Sequence, residues 1–159
     1  ISSNYFSNVA KNKLLYLTFT LFIILFFLIF ILIQNHQPQN RLDTVNASIP
    51  PKILALYQNN CASCHGGNLQ GQIGWQNTLD EDGHRLAPPL NGSAHTWHHS
   101  PEYLFNVIKY GFPFFDSNYQ GKMLGNSNLS SEEAWQLVSY IRQVWPEEIQ
   151  DVYGKTFGQ

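Results

Sequence analysis

The sequence predicts an all-α protein: one long apolar helix near the N-terminus, then a small helical domain. Three observations predict it. Leu14 to Ile33 is a run of 20 residues without a charge, with Thr18 and Thr20 its only clearly polar members. From residue 50 onward, apolar side chains recur at helical spacing in stretches that start at proline or serine. No apolar–polar alternation runs long enough to make a useful strand. The chain divides accordingly into an N-terminal segment (1–13), a transmembrane helix (14–33), a polar tether (34–49), a helical domain (50–149) and a C-terminal surface tail (150–159).

Twenty helical residues rise about 30 Å, the thickness of a bilayer's hydrocarbon core. A secretory signal is a poorer fit, because its apolar region is usually about 7–15 residues. Val45-Asn46-Ala47, the one small-residue cleavage candidate, lies far beyond the run. A buried helix of a globular core is excluded, since the rest of the chain is too short to enclose it. Lys11 and Lys13 immediately precede the span with no acid nearby. The positive-inside rule therefore puts the N-terminus in the cytoplasm and the domain on the opposite face. In a bacterium that is the periplasmic face of the inner membrane. Gln34 to Ile49 is polar, and Pro38 argues against continued helix. Fully extended, such a tether reaches on the order of 50 Å.

The whole chain carries a net charge of −2. From Ile49 onward six Lys/Arg face ten Asp/Glu, a net of −4. Nucleic acid is thereby excluded as a partner, because phosphate binding needs a basic face. Without the apolar run, a core-poor domain of roughly a hundred residues remains, a size that benefits from a staple.

The first helix of that domain opens at Pro50-Pro51, presents Ile53, Leu54, Leu56 and Tyr57 on one face, and ends at Cys61. Cys61-Ala62-Ser63-Cys64-His65 follows, holding both cysteines of the chain. CxxC followed directly by His is the pattern of covalent haem attachment. Residues three apart share one side of a helical turn, so both thiols can form thioethers to one porphyrin edge. His65 then lies next to the iron as an axial ligand. Gly66-Gly67 lets the chain leave the turn. A redox dithiol or half of a zinc site is the alternative, but no further cysteine and no βαβ pattern accompany it.

The second axial ligand has five candidates: Met123, His84, His95, His98 and His99. His36 lies in the tether and is a poor one. Met123 is the only methionine and sits in a polar, Gly-rich loop rather than a core stretch. Its thioether would favour ferrous iron and raise the potential. The bland reading of Met123 is core filler. For His95, His98 and His99 it is packing and hydrogen bonding around the haem edge, against copper or zinc binding. His84, in Asp80-Glu81-Asp82-Gly83-His84, is expected to be solvated.

Ala87-Pro88-Pro89-Leu90-Asn91-Gly92 reads as a rigid turn. A ligating histidine normally donates its other ring N–H to a carbonyl, and a proline carbonyl here, Pro88, would accept it. Ser100-Pro101-Glu102 starts a helix bearing Tyr103, Leu104, Val107 and Ile108, which Gly111 ends. Ser130-Ser131-Glu132-Glu133 starts the last, with Trp135, Leu137, Val138, Tyr140, Ile141 and Val144, and Pro146 marks its end.

In this order of motifs, residues 50–148 resemble a class I cytochrome c with one haem c. His95-Thr96-Trp97-His98-His99 and Trp145-Pro146-Glu147-Glu148 are similar to those of small membrane-anchored mono-haem cytochromes. The resemblance implies that the first and last helices of the domain cross, bringing Leu56 or Tyr57 toward Trp135 to Tyr140. The sequence departs from the family twice. Leu124-Gly125-Asn126 follows Met123 where many relatives have a proline, and an extra polar segment, about Gln70 to Arg85, precedes the proline turn as a potential partner contact.

With His65 and Met123 both bound, the iron has no open position, which implies one-electron transfer rather than enzymatic chemistry. The leading expectation is a membrane-anchored electron carrier that meets redox partner proteins on the periplasmic face. The alternative is a fixed haem subunit of a larger membrane complex, such as a photosynthetic reaction centre or a respiratory oxidase or dehydrogenase. A haem peroxidase or ligand sensor is the minor alternative, should Met123 be displaced.

Overall fold

The computed structural model describes the backbone of residues 2–158 and the side chains of residues 16–32 and 41–158. Among the described residues there are six α-helices and no strand beyond an isolated bridge between Leu79 and Arg85. The all-α expectation holds. The chain forms two compact units, Ile1–Asn40 and Arg41–Gln159.

The described residues of the first unit are helical, as part of α1 (Ser2–Ser48). Its fifteen large apolar side chains between Tyr16 and Leu32 are all 44% to 69% exposed. The Thr20 hydroxyl donates to the carbonyls of Tyr16 (3.0 Å) and Leu17 (2.9 Å), so this polar group is satisfied within the helix. Among the described residues no helix is long and apolar enough to cross a membrane. The run expected to do so includes Leu14, Leu15 and Ile33, whose side chains lie outside them, as do those of Lys11, Lys13, His36 and Pro38.

The second unit begins before residue 50. An extended tether over 34–49 was the expectation, but α1 continues to Ser48. Leu42, Val45 and Ile49, at spacings of three and four, form a narrow apolar stripe that packs on the core. Arg41 Nη2 donates to the Gln143 carbonyl (3.3 Å), and the Tyr140 hydroxyl donates to Asn46 Oδ1 (2.9 Å). Burial of that stripe overrides the polar composition around it.

Three helices then frame the domain. α2 (Pro51–Asn60) starts on Pro51, whose missing N–H would have no partner there anyway. α4 (Pro101–Tyr110) is capped by Ser100 Oγ, which accepts the Tyr103 N–H at 3.2 Å. α5 (Ser131–Val144) carries a full capping box: Ser130 Oγ accepts from Glu133 N–H, and the Glu133 carboxylate accepts from Ser130 N–H. Both α2 and α4 pack on α5. Tyr57 and Tyr140 meet edge to face, centroids 5.4 Å apart, which is the crossing implied by the resemblance.

The C-terminus also departs from expectation. Pro146 ends α5 but caps a further helix, α6 (Glu147–Phe157), where a surface tail was expected. The cause is Tyr153, whose ring is buried edge-on against Trp145 (4.9 Å), with the Arg142 guanidinium 4.7 Å from its centroid. The domain therefore extends beyond both bounds of 50–149.

Candidate functional site

The CxxCH segment folds as a single helical turn. Cys61 closes α2, and α3 (Ala62–His65) follows at once. The N–H groups of Cys64 (3.2 Å) and His65 (2.9 Å) both donate to the Cys61 carbonyl. Both cysteines are free thiols, Cys61 half-buried and Cys64 exposed. Burial, with a smaller effect of Cys64, pushes the Cys61 thiol up to about 11, so it stays protonated at neutral pH. Gly66 then releases the chain, and its carbonyl accepts the Tyr57 hydroxyl at 2.8 Å.

His65 is fixed from one side. Its Nδ1 donates to the Pro88 carbonyl at 2.8 Å, the bond anticipated from the proline turn. Desolvation lowers its pKa more than this bond raises it, so the ring is neutral at neutral pH. With Nδ1 committed, Nε2 is the ring atom left for a metal.

The two segments that form this bond are laced together. Leu90 N–H donates to the Leu69 carbonyl (2.8 Å), Gln72 N–H to the Ala87 carbonyl (2.9 Å) and Gly71 N–H to the His65 carbonyl (2.8 Å). Gly71 has φ +70, and a Cβ there would run into the Pro88–Pro89 peptide. Leu69 is held at φ +56 with its side chain fully buried. A left-handed backbone at a non-glycine residue costs about 1–2 kcal/mol, so packing and the ladder hold this strain beside His65.

Two supports were not singled out from the sequence. Trp145 is fully buried, and its Nε1–H donates to the Leu90 carbonyl at 2.9 Å, bracing the proline turn. The signal for it is general: a buried indole needs an acceptor. The second is the charged clamp on Lys122, whose ammonium pairs with Asp80 (2.6 Å) and Asp82 (2.8 Å). The hydrogen bond with Lys122 is the main reason the Asp80 carboxyl is held down at about 2.

Met123 lies in the loop between α4 and α5, half-buried. Its N–H donates to the Tyr119 hydroxyl (3.2 Å) and its carbonyl accepts from Phe112 N–H (3.0 Å). The three clustered histidines are ring-packed. His99 stacks on Tyr103 (4.2 Å), Tyr103 stacks on Phe115 (4.6 Å), His95 meets His99 edge to face, and His98 lies against Trp97 at 3.8 Å. His84 is half-buried rather than fully solvated, with Nδ1 3.6 Å from Asp80 Oδ1.

The donor set fits a covalently held haem: two free thiols on one turn and a neutral imidazole oriented through its far nitrogen. Zinc does not fit. Among the described residues the one group spaced to hold a metal ion is Asp80, Asp82 and His84, which includes neither cysteine. Its two acids are already paired with Lys122.

A family described as "Cytochrome C oxidase, cbb3-type, subunit III" matches residues 50–141 of the chain. Neither a curated protein nor a solved structure matches it.

Proposed function

The chain belongs to this family of c-type cytochrome domains, which implies a covalently bound haem c, and we propose that it transfers single electrons at the outer face of a cytoplasmic membrane. The observation that carries this reading is the 2.8 Å bond from His65 Nδ1 to the Pro88 carbonyl, next to two free thiols on one helical turn. When bound, the haem supplies one-electron exchange between ferric and ferrous iron.

The chain's residues divide the work. Cys61 and Cys64 hold the porphyrin edge by thioethers. His65 offers Nε2 on one face, oriented by Pro88. Met123 would offer its sulfur as a second ligand, and a neutral thioether would favour the ferrous state and raise the potential. With both positions filled by protein ligands, none would remain for a substrate, and the chain would act as a carrier rather than an enzyme.

The apolar run supports an anchor. Fifteen large apolar side chains among seventeen consecutive residues, each at least 44% exposed, are a surface that soluble proteins avoid. Lipid would cover it, and Thr20 already satisfies its hydroxyl inside the helix, as a bilayer requires. Lys11 and Lys13 orient the N-terminus to the cytoplasm and the haem domain to the periplasm. Because residues 41–49 pack on the domain, only residues 34–40 remain as a link.

That short link, and a family named for an oxidase subunit, favour a second reading: a fixed haem subunit of a larger membrane complex. Membrane fractionation followed by a native gel in mild detergent tests both. The full chain is expected in the membrane fraction, and a chain beginning at Arg41 in the soluble one. Migration of the haem-stained band alone supports the carrier, and co-migration with other subunits supports the fixed subunit. Haem staining of the full chain in the soluble fraction contradicts the anchor.

A further inference from the structure

The loop that carries Met123 is held at separate points rather than by regular structure. It is polar, it contains no helix or strand from Asp116 to Ser130, and Leu124-Gly125-Asn126 supplies no proline. Local contacts shape its backbone: Phe112 N–H to the Met123 carbonyl, Met123 N–H to the Tyr119 hydroxyl, and Gly111, where a Cβ would overlap the Leu124 carbonyl. Gly111 caps α4 through its N–H to the Val107 carbonyl, so these contacts tie the Met123 backbone to the end of that helix.

Other fixings come from further away. Past Met123, Asn126 Nδ2 donates to Asn60 Oδ1 (2.7 Å), Asn126 N–H to the Ile108 carbonyl (3.0 Å) and Lys109 Nζ to the Ser127 carbonyl (2.9 Å). On the side before Met123 the fixing is an ion pair. Lys122 Nζ lies 2.6 Å from Asp80 Oδ2 and 2.8 Å from Asp82 Oδ2, and Asp82 is 40 positions earlier in the chain. The acids are themselves held in place. Asp80 Oδ1 accepts the N–H groups of Asp82 (3.0 Å) and His84 (2.8 Å), and Asp80 N–H donates to the His84 carbonyl (2.8 Å). The turn closes with the Leu79–Arg85 bridge. Two carboxylates on a prebuilt turn thus receive one ammonium, on the residue next to Met123.

Global stability does not account for this arrangement. The Lys122 side chain is 56% exposed and its partners Asp80 and Asp82 are 20% and 66% exposed, so solvent screens the clamp and its contribution to folding is small. What such a clamp does change is the freedom of the loop. We propose that Lys122 is a positioning residue, and that its clamp on Asp80 and Asp82 holds the Met123 sulfur in place against competing ligands. The proposal rests on Met123 being the second axial ligand. It also gives the polar segment of residues 70–85 a task inside the molecule: it carries the acids.

The test uses the reduced holoprotein and measures the rate of carbon monoxide binding, which requires the thioether to leave the iron. The Met-to-iron charge-transfer absorbance of the oxidised form and the melting temperature are read alongside. Lys122→Gln is expected to bind carbon monoxide roughly 10- to 100-fold faster, the range typical of lost outer-shell support. Its melting temperature should stay at the wild-type value. Lys122→Arg keeps the charge and can fork between two carboxylates, so it is expected to restore the slow rate. Asp82→Asn, which removes one of the two partners, is expected to fall between. A wild-type rate in Lys122→Gln, where Met123→Ala is fast, overturns the clamp and leaves the ligand reading intact. A wild-type rate and absorbance in Met123→Ala overturns the ligand reading and the clamp with it. Equal acceleration in Lys122→Gln and Lys122→Arg, or acceleration accompanied by a lower melting temperature, overturns the clamp in favour of general loosening.

Discussion

If Met123 supplies the second axial ligand as proposed, Met123→Ala is expected to open one coordination position of the bound haem. The residue is half-buried in a loop with its backbone tied at both N–H and carbonyl, so removing its side chain leaves the loop's hydrogen bonds intact. The effect should therefore be chemical rather than structural. On that ligation a thioether that would favour ferrous iron is lost, and the midpoint potential is expected to fall by on the order of 100 mV, a fraction of the about 0.8 V that axial ligation spans. The Met-to-iron charge-transfer absorbance should vanish, and carbon monoxide should bind the reduced protein rapidly. His98→Ala and His99→Ala are the controls. Their rings are engaged with Trp97 and Tyr103, so both variants should keep the absorbance. Loss of the band in His98→Ala with retention in Met123→Ala would reverse the assignment.

Trp145→Ala is expected to be the most destabilising single substitution in the domain. The side chain is fully buried, packs edge-on against Tyr153, and its Nε1–H is bound by the Leu90 carbonyl. Truncating a buried Trp costs about 3–5 kcal/mol in lost transfer energy and cavity. For a domain of this size that corresponds to a fall in melting temperature of roughly 10–20 °C. Trp145→Phe separates two contributions. It retains much of the ring volume but leaves the Leu90 carbonyl without its donor, at a cost of about 1–3 kcal/mol. Leu90 lies two residues from Pro88, so Trp145→Phe should also loosen the His65 orientation and shift the potential. Val152→Ala, on the exposed side of α6, should stay within about 0.5 kcal/mol of wild type. Thermal melts of the holoprotein followed at the haem band would read all three.

The sequence made some of this legible and concealed the rest for physical reasons. Helix starts were legible because capping is local: Ser100 and Ser130 each satisfy an orphan N–H within three residues. The His65–Pro88 bond was legible because a ligating histidine needs an acceptor and the chain offers one rigid turn. The packing of residues 41–49 was not. Leu42, Val45 and Ile49 are three apolar residues in a polar segment, and only the presence of α5 makes them a face. For the same reason α6 read as a tail: Tyr153 is one aromatic among polar neighbours until Trp145 meets it. The Lys122 clamp has no periodicity at all, since it joins residues 40 positions apart. The three histidines near residue 97 read as packing residues rather than metal ligands; their rings contact each other, Trp97 and Tyr103, and none belongs to the metal-spaced group among the described residues.

The central claim is that Cys61, Cys64 and His65 serve a one-electron centre, and a potentiometric titration of the purified chain tests it most directly. The haem absorbance is followed against applied potential. A one-electron couple gives a slope of about 59 mV per decade, and a two-electron dithiol–disulfide couple gives about 30 mV. The account expects a single wave of the one-electron slope, with one haem per chain that denaturant does not remove. A chain without covalent haem, whose only redox wave has the two-electron slope of a Cys61–Cys64 disulfide, would contradict it.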